Sequence, residues 1–94
     1  MQQNICRPDL HTFLKHNLPP VFPPVMIPRL SCAIDSNLFH TRNTNMVFYL
    51  WLNNCQEFWF FPISFSYIYV QGYFWDSKKW VGCYVKREMI YAFF

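Results

Sequence analysis

The stretch from Phe58 to Trp75 constrains this chain more than any other part of it. It reads FWFFPISFSYIYVQGYFW and contains eighteen residues without a single charged side chain. Its length is close to the roughly 20 apolar residues that cross a bilayer as a helix. The chain must therefore bury this stretch in its own core, in a partner or in a membrane.

Alternation within the stretch favours strands over a helix. From Ser64 to Val70 the rings at positions 65, 67 and 69 point one way and the remaining side chains point the other way. Aromatic and β-branched residues are typical of strands, whereas Pro62 and Gly72 are poorly suited to the middle of a membrane helix. We predict a mostly β fold, a small aromatic-rich antiparallel hairpin or meander. The alternative is a single transmembrane helix around residues 58–75.

The rest of the chain divides at about residue 45. Residues 1–45 are predicted to be a largely disordered, proline-rich segment, with five prolines between Pro19 and Pro28. A short amphipathic helix is predicted at Leu10–Leu18, where Asp9 can serve as its N-cap. Residues 46–94 form the hydrophobic, aromatic-rich region that we expect to fold.

Polar residues within the second region predict where its strands turn. The predicted turns are Asn53-Asn54, Gln71-Gly72 and Asp76–Lys79. The last of these joins Tyr73–Trp75 to Trp80–Val85 in a hairpin, with Trp80, Gly82 and Tyr84 on one face. Met89–Phe94 is predicted to be a short apolar tail.

Composition says more about burial than about function. Hydrophobic residues make up 53% of the chain and charged residues 14%, against about 25% charged in average proteins. Eleven phenylalanines stand beside only two glycines, a skew typical of translated T-rich DNA. The sequence therefore indicates no specific biochemical function and favours a small orphan protein or a doubtful reading frame. The alternatives are a small single-pass or membrane-associated protein and a proline-rich interaction module.

No motif predicts an enzyme, a cofactor or a metal site. The cysteines are widely spaced, at Cys6, Cys32, Cys55 and Cys83. They form no C-x-x-C pair, and Cys6 with His11 lacks two further ligands for zinc. Two glycines are too few for a phosphate-binding loop. No signal peptide is visible, so we expect an intracellular protein with free thiols and no catalytic, cofactor-binding or metal residues.

One basic and aromatic group carries the best positive signal, formed by Lys78, Lys79, Trp80, Tyr84, Lys86 and Arg87. Rings beside cations can stack on single-stranded nucleic acid or anchor a protein at a membrane interface. The favoured interpretation is a solvated hairpin edge with core aromatics. The net charge of +3 is too small to indicate nucleic acid.

Two partners remain as expectations from the sequence. Membrane lipid is expected if residues 58–75 meet a bilayer. Self-association is expected through residues 64–70, which combine high β-propensity with no charge and no proline. Nucleic acid is disfavoured as a partner.

Overall fold

A computed structural model describes residue 19, residues 21–40 and residues 42–94 of the protein. The predicted helix at Leu10–Leu18 lies outside the described residues. Within them the chain forms six strands, which are β1 Ile34–Asp35, β2 Phe48–Leu52, β3 Glu57–Phe65, β4 Tyr69–Trp75, β5 Trp80–Lys86 and β6 Ile90–Phe93. Short 3-10 turns occupy Leu30–Cys32, Ser36–Leu38 and Arg87–Met89. All strand pairs are antiparallel, in the order β1-β6-β2-β3-β4-β5.

The predicted mostly β fold is confirmed, and the alternative of a membrane helix over residues 58–75 is wrong. These residues lie in β3, β4 and the turn between them, where strand neighbours satisfy their backbone groups. Among the described residues, the structure contains no helix with the length and apolar character needed to cross a membrane.

Two local predictions inside this stretch are also wrong. Ser64–Val70 is not one strand, because the chain reverses between Ser66 and Tyr69. The Ser66 amide donates to the Tyr69 carbonyl at 2.8 Å, and the Tyr69 amide donates to the Ser66 hydroxyl at 3.0 Å. Gln71-Gly72 is not a turn but part of β4. Because the Ser66 side chain bonds to nearby backbone, the chain turns after Ser66 and not at Gly72, where the turn was predicted.

Gly72 has a packing role instead of a turning role. It lies opposite Pro62, where β3 shifts register between Pro62 and Ser64. A Cβ atom at Gly72 would lie 2.7 Å from the tip of the Phe60 ring and closer still to the Phe61 carbonyl oxygen. Only glycine allows β3 and β4 to approach this closely.

The sheet must be strongly curled, because the chain passes from β5 to β6 through only three residues, Arg87–Met89. These two strands are four strand positions apart in the sheet, or roughly 19 Å in a flat one. The stretch from Lys86 to Ile90 can reach only about 14 Å. Curling closes this gap and brings Val85 and Ile90 into one core cluster.

The inner face of the curled sheet holds the main core. Its buried members are Phe39, Phe48, Leu50, Leu52, Phe60, Val70, Cys83, Val85, Ile90 and Phe93. Phe39 reaches this core from the loop after Ser36–Leu38 and contacts the rings of Phe48, Phe65 and Phe93. Residues 30–40, which the sequence assigned to the N-terminal segment, thus contribute β1 and a core side chain to the sheet.

The predicted turns at Asn53-Asn54 and Asp76–Lys79 are confirmed. Both glycines of the chain lie in strands, so residues with side chains take the left-handed positions, at Asn45 (φ 61°), Cys55 (φ 71°) and Ser77 (φ 86°). The Asp76 carboxylate accepts from the Lys79 and Lys78 amides, both at 2.8 Å, and these bonds lower its pKa. The predicted hairpin that follows it is present, with Trp75 paired to Trp80.

The predicted apolar tail at Met89–Phe94 is largely a strand. Its residues Ile90–Phe93 form β6, which lies between β1 and β2. Its pairing with β2 shifts register between Trp51 and Leu52, and this irregularity leaves no clean alternation in the sequence to predict a strand.

Candidate functional site

The outer face of the sheet carries a set of large aromatic side chains that we call the aromatic face, made of Tyr49, Trp59, Trp75 and Trp80. Strand alternation directs them outward, and pairing aligns Tyr49 with Trp59 and Trp75 with Trp80. The ring centroids of these pairs are 4.8 Å and 5.2 Å apart, at 76° and 67°. Such edge-to-face packing is the favoured geometry for aromatic pairs.

Part of the proline-rich N-terminal half lies on this face. The Trp80 indole N–H donates to the Val21 carbonyl at 2.8 Å. The Phe22 ring meets the Trp75 ring edge-on at 5.8 Å. Residues 21–28, which we call the proline segment, form neither helix nor strand. Their prolines restrict φ to values near −65° and so favour an extended chain.

A groove of about 580 Å³ separates the proline segment from the sheet. Phe22, Pro23 and Pro24 form one side, and Tyr49, Trp59 and Trp75 are among the residues of the other. Among the residues of the described chain that line this groove, Glu57, the first residue of β3, carries the only charged side chain.

Tyr49 and Glu57 are coupled at the floor of this groove. Burial raises the pKa of Tyr49 to about 12, and the Glu57 charge and a hydrogen bond from the Tyr49 hydroxyl to the Glu57 carboxylate add to this effect. Removing a phenol from water disfavours its ionised form. Tyr49 therefore stays a neutral donor over the physiological range and holds the carboxylate beside the rings.

The basic and aromatic group that the sequence singled out is divided by the structure. Trp80 is only 7% exposed and is bonded to Val21, so its ring is not a free stacking surface. Tyr84 packs against Tyr69 with centroids 5.7 Å apart. Lys78, Lys79 and Lys86 are exposed.

Arg87 is engaged within the chain and is not a solvated cation. Its Nη1 donates to the Ser66 carbonyl at 3.0 Å, and its guanidinium lies 5.5 Å from the centre of the Phe65 ring. Its backbone amide donates to the Ile68 carbonyl at 2.8 Å. Arg87 thus ties the turn between β3 and β4 to the connection that leads into β6.

Thiols and imidazoles are dispersed in the part of the chain that the structure describes. Cys32 and Cys55 are exposed, whereas Cys83 is completely buried in the inner core. No three metal-ligating side chains come together among residues 19, 21–40 and 42–94. Cys6 and His11 lie outside the described residues.

Sequence reasoning missed the groove, whose sheet side depends on Tyr49, Glu57, Trp59 and Trp75. The sequence did contain one relevant pattern, in which the rings at positions 49, 59 and 75 alternate with inward-facing residues. This pattern did not show which face of the sheet the proline segment would cover. The contact between Val21 and Trp80 joins residues 59 positions apart, and only the fold brings them together. No protein-family model, curated protein or solved structure matches this chain.

Proposed function

We propose that this protein is a peptide-binding module whose aromatic face holds extended, proline-containing segments. One observation carries the proposal: the Trp80 indole N–H donates to the Val21 carbonyl while Phe22 packs on Trp75. In this view the proline segment is a ligand that the protein binds in cis. The sequence suggested a proline-rich interaction module as one alternative, and in this proposal the surface that binds the proline run lies in the same chain.

The chemistry of the contact supports this assignment. Proline-rich segments dock in aromatic-lined grooves because their extended conformation loses little entropy on binding. A tryptophan offers a broad apolar ring together with one N–H donor. Because proline carries no N–H, the backbone of such a ligand is recognised mainly through its carbonyl oxygens, as Val21 is here.

Occupation in cis sets a threshold for any external ligand. A tethered segment acts at a high effective concentration, so a peptide in solution must compete with it. The apparent affinity for that peptide falls in proportion to the fraction of molecules whose face is open. Loosening the proline segment should therefore strengthen binding in trans.

The test uses the full chain and a synthetic peptide with the sequence of residues 19–28, PPVFPPVMIP. We expect Phe22→Ser, which removes the ring on Trp75, to bind this peptide at least about fivefold more tightly than the unchanged chain, which is a gain of about 1 kcal/mol. Tryptophan fluorescence reports binding, since Trp75 and Trp80 lie at the contact.

Leu38→Ser is the matched control, because Leu38 is exposed and lies outside the groove. It should leave peptide affinity unchanged. A peptide that itself carries serine in place of Phe22 should bind poorly. If the Phe22→Ser chain shows no saturable binding, or binds both peptides equally, the proposal fails.

A second candidate is contact with a membrane surface, which the outward side of the proline segment favours. Val25 is 98% exposed and Met26 82% exposed, and adjacent apolar side chains of this kind can insert at a lipid interface. The double variant Val25→Ser, Met26→Ser should then reduce co-sedimentation with lipid vesicles severalfold. Unchanged co-sedimentation would contradict this candidate without bearing on the peptide test.

A further inference from the structure

The groove beside the proline segment offers chemistry that the segment itself does not use. We propose that it binds an organic ammonium cation of the methylated, quaternary type. This inference goes beyond peptide binding and shares with the proposed function only the position of the proline segment, because Phe22 supplies one side of the groove.

The first support is the arrangement of rings. Phe22 and Trp75 meet at 82°, and Tyr49 and Trp59 meet at 76°. Tyr49 is only 3% exposed, so the ring faces open to a ligand belong to Phe22, Trp59 and Trp75, which are exposed or half-buried. Because the face of an aromatic ring is electron-rich, several such faces attract a cation and disfavour an anion.

The second support is the charge of the groove. Among the described residues that line it, Glu57 is the only charged one, so the described lining carries one negative formal charge. The Tyr49 hydroxyl donates to this carboxylate and holds it beside the rings. On the opposite side Pro23 and Pro24 have no N–H to offer an anion. The groove therefore distinguishes the sign of a ligand's charge.

The third support is size and hydration. A volume of about 580 Å³ lies within the range typical of small-molecule sites, about 300–1,000 Å³. A primary ammonium is a compact, strongly hydrated charge with N–H groups to satisfy. A trimethylammonium group has no N–H donors and presents methyl groups to the rings. It therefore matches a groove of aromatic rings with a single carboxylate better than a primary ammonium does.

The test titrates choline into the full chain and follows tryptophan fluorescence. The uncharged carbon analogue of choline, 3,3-dimethylbutan-1-ol, has the same shape as choline without its charge. We expect the analogue to bind at least about fivefold more weakly than choline, because it lacks the cationic attraction. Methylammonium should also bind more weakly than choline.

The matched variants are Glu57→Gln, which removes the charge and keeps the shape, and Glu88→Gln, an exposed carboxylate that does not line the groove. The first should weaken choline binding at least about fivefold, since it removes the ionic attraction, and the second should leave it unchanged. Near-ultraviolet circular dichroism would confirm that both variants stay folded. Equal binding of choline and its uncharged analogue would overturn the proposal, as would choline affinity that Glu57→Gln leaves intact.

Two further ligands separate the sources of such a cation. A short peptide with trimethyllysine would be preferred if the ligand is a modified protein, and phosphocholine if it is a lipid headgroup. The outcome is also independent of the peptide test, since choline binding is measured on the unchanged chain. Peptide binding without choline binding would remove this inference alone.

Discussion

The two faces of the curled sheet are both rich in aromatic residues, yet they differ in kind. The inner face combines phenylalanine with aliphatic side chains, and Leu50, Phe60 and Val85 are fully buried there. The outer face holds two smaller buried clusters built mainly of indoles and phenols, and the polar atoms of Trp80 and Tyr49 bond to Val21 and Glu57. The same strands supply both faces, because alternate residues point to opposite sides.

This difference separates side chains that only pack from side chains that pack and also offer a polar atom to a partner. Phenylalanine and leucine have no polar atoms to satisfy, so they pack densely without specifying a ligand. Tryptophan and tyrosine provide apolar area with a directed donor, which suits them to recognition surfaces. Substitutions on the two faces should therefore have separable effects.

The largest effect is expected from Leu50→Ala, on the inner face. Leu50 is 0% exposed in the strand that pairs with both β3 and β6. Its truncation should lower the free energy of unfolding by about 2–5 kcal/mol, through lost burial and the cavity left behind. Urea denaturation measures this change. Leu38→Ala, at an exposed site, should lower it by much less, and equal losses would contradict the inner core described above.

Gly72→Ala should come next, with a loss of about 1–3 kcal/mol from overpacking. The new Cβ would collide with the Phe61 carbonyl and the Phe60 ring, which cannot move without separating β3 from β4. Thermal unfolding measures the loss. A variant as stable as the unchanged chain would show that the two strands do not approach as closely as the structure indicates.

Alkaline pH should destabilise the protein through its outer face. Burial raises the pKa of Tyr49 to about 12 and also raises that of Tyr73. The folded state therefore keeps these protons when the unfolded state loses them, so stability is complete below pH 10 and falls as pH rises toward 12. For Tyr49 the slope is at most about 1.4 kcal/mol per pH unit.

Tyr49→Phe removes one of these titrating groups and should make the fall shallower. Urea denaturation of the unchanged and variant chains compares the two slopes. The pH values run from about 9 to about 12, around the ordinary tyrosine pKa of about 10. Identical slopes would show that Tyr49 is not held in its protonated form by the fold.

Trp80→Phe should have a smaller effect, concentrated at the proline segment and at the small cluster that Trp80 forms with Phe61 and Tyr73. It keeps an aromatic ring but removes the donor to Val21, so about 1 kcal/mol is expected to be lost. Chemical shifts should change at residues 21–28, while the amides of β2 and β6 keep their protection from hydrogen exchange. Faster exchange in β2 and β6 would mean that the segment is part of the core and not a displaceable ligand.

The smallest change in stability is expected at the turn between β3 and β4. Tyr67 is 95% exposed, so Tyr67→Lys should alter the free energy of unfolding by no more than about 0.5 kcal/mol. If residues 64–70 drive self-association, this variant and Ile68→Lys should nonetheless raise solubility sharply. Leu38→Lys, at an exposed site outside both residues 64–70 and the proline segment, is the control, and the same solubility for all three would assign self-association elsewhere.

Local pattern was sufficient for several elements of the fold. The hairpin around Asp76–Lys79 and the turn at Asn53-Asn54 follow from side chains that bond to their own neighbouring backbone. The preference for strands in the uncharged stretch follows from aromatic and β-branched composition. The position of the reversal did not follow from pattern, since Ser66 and Gly72 are both turn residues. In the structure the Ser66 hydroxyl bonds to the Tyr69 backbone, and Gly72 is paired inside the sheet.

The sequence by itself thus determined that the chain is an aromatic-rich β protein with its apolar residues concentrated after position 45. Tertiary structure alone decided that β6 inserts between β1 and β2, that the sheet curls, and that Val21 meets Trp80. These contacts join residues far apart in the chain, and their energy depends on which surfaces curling brings together. Alternation shows that a strand has two faces, but only the assembled sheet determines which face closes around the main core and which carries the smaller clusters on which the proline segment lies.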